Sequence, residues 1–170
     1  MIILPLKKDL INAFMSEAKT KNGINKGMNN NYNLAIGLVD VSISFEAFIN
    51  ELLPSEKSIF KKREKFSTDY QLVFEQNKAV FMNWANSLKR ELDNNGMLID
   101  MTPQSTRPHI GINNPDSLSE IIEVVYRVRS NLVHGSKDLT EGRSKILIEN
   151  SFKFLYNLLD IILRKEGIIS

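Results

Sequence analysis

The chain has 170 residues, of which 42% are hydrophobic and 25% charged, and this balance predicts one globular domain over residues 1–170 rather than a disordered chain. Its formal net charge of +2 excludes a histone-like or tail-like nucleic-acid binder, while leaving room for a local basic patch. The absence of cysteine excludes disulfides, thiolate metal sites and a cysteine nucleophile.

The first residues do not have the pattern of a secretory signal, because their apolar stretch is short and the charges follow it. No window holds about 18 uninterrupted apolar residues, the length that a transmembrane helix requires. We therefore expect a cytoplasmic protein without a membrane span.

The first half of the chain predicts two helices separated by a loop. Residues 6–19 carry an apolar stripe, and the stretch 20–33 is rich in Gly and Asn, which favours a loop. From residue 32 to residue 53, apolar side chains recur at spacings of 4, 3, 4, 3 and 4, which is typical of one buried helix face. These side chains are Leu34, Leu38, Val41, Phe45, Phe48 and Leu52.

The middle of the chain begins with a basic stretch over residues 56–66. We interpret its charges as a solvated helix face; the alternative is a phosphate-attracting patch, which requires them to cluster beside the site. These charges are Lys57, Lys61, Lys62, Arg63 and Lys65. Residues 69–93 predict a further helix, which Gly96 ends, with Trp84 in the core rather than serving as a base-stacking platform.

Three prolines and a glycine predict a long loop over residues 94–116. Ser117 and Glu120 fit a capping box at the start of the next helix. The buried stripe of that helix is Leu118, Ile121, Ile122, Val125 and Val128. After a break at Gly135, a last helix begins near Thr140. The sequence therefore predicts an all-α, single-domain bundle of four to five helices.

Most patterns that mark an active site are absent from the sequence. There is no Gly-rich phosphate loop and no Gly-x-Ser-x-Gly elbow. Two histidines without a cysteine do not suffice for a conventional zinc site, and we expect neither a metal nor a cofactor.

The remaining candidate pair is Arg129 and His134, at the end of a strongly apolar helix. Five residues at about 100° each place them about 140° apart on a regular helix. Gly135 favours a helix end, and a tightened or loosened last turn would swing His134 toward Arg129. A histidine in that position exchanges protons near neutral pH. The alternative is structural, with His134 capping the helix and Arg129 paired with a carboxylate.

Residues 121–137, with an Arg-x4-His motif and the run Asn-Leu-Val-His-Gly at 131–135, resemble the HEPN family. The helix over residues 41–53 is similar to an early helix of many such domains. The specific resemblance covers about 30 residues, and the helix count and order agree over most of the chain.

This resemblance implies a HEPN-like helical bundle that forms a homodimer, and in many members a metal-independent endoribonuclease of toxin–antitoxin, phage-defence or stress systems. It implies that Arg129 binds the scissile phosphate, that His134 takes the ribose 2′-hydroxyl proton, and that a second His134 from the partner protonates the leaving oxygen. Ser130 and Asn131 would orient the phosphate or the imidazole. RNA would be the substrate or ligand, with an antitoxin as a further partner.

One family feature does not carry over: a toxin subgroup has tyrosine two places after the histidine, where this chain has Ser136. Some members are non-catalytic modules that bind a nucleotide, RNA or protein, and this alternative stays open beside a purely structural domain. Glu46 is a weaker candidate that would pair with Arg129 across the bundle, or form an ordinary surface charge. We interpret His109 as an exposed loop histidine rather than a catalyst.

Overall fold

Six α-helices make up most of the chain that the computed structural model describes, namely residues 5–23, 30–98, 109–134 and 142–169. They are α1 (Pro5–Gly23), α2 (Asn30–Leu52), α3 (Ile59–Gln76), α4 (Lys78–Asn95), α5 (Leu118–His134) and α6 (Gly142–Lys165). No strand occurs in these described ranges; a single antiparallel bridge joins Leu98 to Ile110. The predicted all-α fold class is confirmed, with one helix more than the upper predicted number.

The additional helix arises because the predicted helix over residues 69–93 is interrupted at Asn77. The Asn77 amide side chain donates to the Val73 carbonyl at 2.8 Å, and its backbone N–H is shared between the carbonyls of Val73 and Phe74, both at 3.2 Å. Asparagine competes with the helix in this way through local side-chain bonds, so α3 ends and α4 begins at the next residue. The basic stretch from Ile59 onward and the following residues up to Gln76 belong to one helix, which Ser58 caps by accepting from the Lys61 N–H at 3.3 Å.

α2 is the central helix of the bundle and packs mainly against α1 and α6. Five of the six side chains in its predicted apolar stripe are buried, and Leu52 is partly buried against the core. Residues 32–52 are long and apolar enough to cross a membrane, and 61% of the most apolar window is buried inside the bundle. The helix thus buries the face that its periodicity predicts.

Helix ends agree with several predicted signals. Gly96 ends α4 with φ +96°, and Gly167 follows α6 with φ +73°. The Ile168 N–H donates to the Leu163 carbonyl at 2.8 Å and that of Gly167 to Arg164 at 3.1 Å, which is a Schellman motif. The loop predicted over residues 20–33 is shorter than expected, because α1 extends to Gly23 and α2 begins at Asn30.

An aromatic cluster fixes α3 and α5 against α2. The Phe45 ring lies 4.6 Å from that of Phe66 and 5.5 Å from that of Tyr126, measured between centroids. Trp84 is partly buried and packs against the core, as predicted. Since Glu46 directly follows Phe45 and Arg127 directly follows Tyr126, this packing sets the distance between the polar faces of α2 and α5.

Candidate functional site

A polar cleft of about 600 Å³ opens between α2, α3, α5 and the segment that begins at residue 109. Three of the five predicted site residues, Glu46, Arg129 and Ser130, line this cleft. The remaining lining residues are Ile59, Phe60, Arg63, His109, Ile110, Glu123, Tyr126 and Arg127. Three arginines against two glutamates give the lining an excess of one positive charge, which favours an anionic ligand.

The Arg129 guanidinium lies at this cleft, and the described residues satisfy its N–H donors only in part. Its Nη2 lies 3.9 Å from Glu46 Oε1, which makes an ion pair but is too long for a hydrogen bond. Its Nε is buried and has no hydrogen-bond partner among the described residues. The side chain is 25% exposed, so a ligand can reach it. The predicted pairing of Glu46 with Arg129 is therefore present, in a loose form.

Arg63, in contrast, is firmly fixed. Its Nε donates to Glu123 Oε2 at 2.8 Å and its Nη2 to Glu123 Oε1 at 3.0 Å, a bidentate arrangement. The guanidinium carbon also lies 4.7 Å from the centre of the Tyr126 ring, a cation–π contact. Of the basic stretch on α3, Arg63 is the residue that reaches the cleft, whereas Lys57 and Lys61 are exposed outside its lining.

Tyr126 is a buried wall of the cleft. Burial raises the pKa of its hydroxyl well above the ordinary value of 10.0, and the nearby Glu46 carboxylate adds to that shift. The hydroxyl donates to the Ser42 carbonyl at 3.5 Å. Tyr126 thus stays protonated and supports α2 and Arg63 without offering an acidic group to a ligand.

His109 reaches the cleft because the chain on either side of the 99–108 segment is joined backbone to backbone. The Leu98 and Ile110 N–H groups each donate to the other residue's carbonyl at 2.8 Å. Arg127 of α5, only 9% exposed, also donates to the Leu98 carbonyl at 3.5 Å. His109 directly precedes Ile110 and is exposed at the cleft. The predicted exposed loop position of His109 is confirmed, and the residue also lines the cleft.

Asn131 lies on another side of α5. It is 1% exposed and lines a small void together with Leu98, Val128 and residues of α6. It is not among the residues that line the cleft. In a single chain, the predicted phosphate-orienting role for Asn131 therefore does not fit its position, and its burial indicates a part in α5–α6 packing.

His134 is the last residue of α5, and its side chain lies outside the described part of the structure. Gly135 and Ser136 also lie outside the described residues. The cleft-lining residues Glu123, Arg127 and Ser130 are spaced 4 and 3 along α5, and position 134 continues the series with a spacing of 4. On a regular helix this series shares one face.

This spacing along α5 was a signal available in the sequence. Compared only with each other, positions 129 and 134 are about 140° apart around the helix axis. The cleft-lining side of α5, however, is about 160° wide, and Arg129 lies at one edge of it. Arg63 and His109 carried no comparable signal, since only tertiary packing brings α3 and the bridge segment to α5.

Among the described residues, no three His, Asp or Glu side chains are grouped so that they could hold a metal ion. No family model, curated protein or solved structure matches this chain. The resemblance to the HEPN family therefore rests on the sequence motif alone.

Proposed function

We propose that this protein is a cytoplasmic, metal-independent endoribonuclease of the HEPN type, acting in a toxin–antitoxin, phage-defence or stress system. The observation that carries the proposal is Arg129, whose partly exposed guanidinium lines an accessible cleft and has there only a loose ion pair, with Glu46 at 3.9 Å. A guanidinium in that state binds a phosphodiester well, because its fixed donors match two phosphate oxygens. The cleft is of the size that holds a nucleotide-sized ligand.

In this proposal Arg129 binds the scissile phosphate and stabilises the charge that develops on it. His134 accepts the proton of the 2′-hydroxyl, which attacks the adjacent phosphorus. The products are a 2′,3′-cyclic phosphate and a 5′-hydroxyl. Support for His134 comes from the helical register, because position 134 follows Glu123, Arg127 and Ser130 on the cleft-facing side of α5. Ser130, which lines the cleft, is suited to donate a hydrogen bond to the phosphate.

We further propose that the protein acts as a homodimer. Val133 lies one helical turn after Arg129 and is 53% exposed, although it is a large apolar residue. Phe60 and Ile59, at the cleft, are 51% and 42% exposed. Apolar side chains that border a charged cleft favour an interface or a ligand there. A second chain, or an antitoxin, would cover them.

The alternative function is a non-catalytic dimeric module that binds a nucleotide, RNA or protein. The burial of Asn131 favours it, since the cleft then lacks one of the polar groups that the family motif supplies. In that case Arg129 would hold a phosphate without any cleavage.

The test compares wild type with Arg129→Ala, His134→Ala and the control Arg90→Ala, an exposed arginine on α4 outside the cleft lining. Each protein is incubated with a mixed-sequence RNA in EDTA. We expect the first two variants to lose about 100-fold or more in rate and the control to lose nothing. Arg129→Ala should keep its unfolding free energy within about 1 kcal/mol, because the long, partly exposed ion pair to Glu46 contributes little.

RNA binding is measured in parallel with a 2′-deoxy-substituted oligonucleotide, which cannot be cleaved by this route. If wild type binds RNA through Arg129 but does not cleave it, the protein is the non-catalytic binding module and not an enzyme. If the protein neither binds nor cleaves RNA, the enzyme and the binding module are both contradicted, and a purely structural domain remains.

A further inference from the structure

His109 lines the cleft and is a candidate for proton transfer in addition to His134, the proposed base. We infer that His109 is the general acid of the reaction and protonates the leaving 5′-oxygen from within the same chain. This inference rests on the proposed ribonuclease function and departs from the family-based expectation, in which a second His134 from the partner supplies that proton.

The placement of His109 is fixed by the backbone around it. The two hydrogen bonds between Leu98 and Ile110, each 2.8 Å, hold the residue that directly follows His109. Arg127 connects the same bridge to α5 through its bond to the Leu98 carbonyl. His109 is thus attached to the helix that carries Arg129, and it is exposed toward the space where a phosphate on Arg129 would lie. An anchored, accessible imidazole that lines the cleft has access to a ligand bound there, which proton transfer requires.

The other described cleft residues are poorly suited to donate this proton. Arginine stays protonated at all ordinary pH values. Glu123 accepts two hydrogen bonds from Arg63 and is held as a carboxylate acceptor. Glu46 forms an ion pair with the Arg129 guanidinium at 3.9 Å and is an acceptor there.

Tyr126 is excluded by the same reasoning. Burial raises the pKa of its hydroxyl well above 10.0, and this hydroxyl donates to the Ser42 carbonyl rather than into the cleft. Among the described residues that line the cleft, His109 is therefore the one imidazole, the side-chain type that most often serves in general acid–base catalysis.

The step is balanced as follows. His134 takes the proton from the 2′-hydroxyl, and the 2′-oxygen forms a bond to phosphorus. The bond between phosphorus and the 5′-oxygen breaks, and the protonated imidazole of His109 gives its proton to that oxygen. His134 then holds an additional proton and His109 has lost one, so exchange with water restores both residues.

The test uses two RNA substrates that differ in one atom, with either oxygen or sulfur as the 5′ leaving atom. A thiolate leaves without being protonated, so a sulfur substrate does not need a general acid. We expect His109→Ala to cleave the oxygen substrate about 100-fold or more slowly than wild type, and the sulfur substrate within about threefold of wild type. His109→Gln, which keeps a polar side chain of similar size, should behave like His109→Ala. The exposed position of His109 leaves the fold intact in both variants, which their unfolding midpoints verify.

Each other outcome overturns the inference in a recognisable way. Equal losses on both substrates would mean that His109 only positions the RNA, and no loss on the oxygen substrate would remove it from the reaction. Recovery of His134→Ala on the sulfur substrate would assign the acid role to His134. Wild type that cleaves neither substrate would contradict the ribonuclease proposal itself, and this inference with it.

Discussion

Replacing Gly37 with alanine is expected to destabilise the protein, although alanine is the better helix former. Gly37 is buried within α2, and a Cβ atom there would lie 2.7, 2.9 and 3.0 Å from three ring carbons of Phe152 on α6. Ordinary carbon–carbon contacts are about 3.5–4.0 Å, and the Phe152 ring is fully buried, so it has little room to move. Such overpacking costs about 1–3 kcal/mol, whereas the helix propensity of alanine returns about 1 kcal/mol. The net expected loss is up to about 2 kcal/mol.

Urea unfolding followed by circular dichroism measures this loss directly. In a Phe152→Leu background, where the ring edge is gone, Gly37→Ala should be neutral or stabilising by up to about 1 kcal/mol. Gly142→Ala is the matched control, since nothing lies within 4 Å of a Cβ atom there. A stabilising effect of Gly37→Ala in the otherwise natural chain would refute the close α2–α6 packing.

Two further predictions concern charged groups. Glu123→Gln should lower the free energy of unfolding in urea by about 2 kcal/mol, because the Arg63 side chain, which is only 12% exposed, then lacks its bidentate partner. The control is Glu149→Gln, which breaks a surface ion pair of 3.7 Å and should cost less than about 0.5 kcal/mol. An equal, small effect in both would contradict a structural role for the Arg63 pair. For Asp40, burial raises the carboxyl pKa above its ordinary value of 3.8, with Lys21 opposing the shift. The folded state then binds the proton more tightly than the unfolded state, so this contribution to stability is present below pH 3.8 and is lost as pH rises through the higher folded-state pKa. Asp40→Asn should consequently gain stability relative to wild type above that range and lose the gain in acid; a difference that is constant with pH would contradict the raised pKa.

Much of the fold follows from hydrophobic periodicity alone. In α2 and α5 the apolar spacing is regular over several turns, and all five predicted stripe residues of α5 are buried. The predicted boundary between α3 and α4 was wrong, because the observed one depends on a single asparagine, Asn77, whose side chain donates to the preceding turn. Apolar residues continue on both sides of it, so periodicity cannot locate that break.

The capping box at Ser117 was partly correct. Its hydroxyl accepts from the Glu120 N–H at 3.3 Å, as predicted. The Glu120 carboxylate, however, accepts from the backbone N–H groups of Asn113 and Asn114 at 2.7 and 3.2 Å instead of returning to the cap. Local sequence predicted the helix start, whereas the use of Glu120 to order the preceding segment depends on the path of that segment.

The site was predictable only as far as it lies on α5. Arg129, Ser130 and the series that leads to position 134 belong to one helix, and the pairing of Arg129 with Glu46 follows once α2 is placed beside it. His109 could not be found in this way. Its place in the cleft depends on a backbone bridge between residues that are 12 positions apart in the chain.

The chemistry of the RNA ends distinguishes the proposed ribonuclease from every other function most sharply. Purified wild-type protein is incubated with RNA in EDTA, and the new 3′ ends are analysed by mass spectrometry. We expect 2′,3′-cyclic phosphate ends opposite 5′-hydroxyl ends, and we expect Arg129→Ala to abolish both. Intact RNA, or cleavage that Arg129→Ala does not diminish, would contradict it.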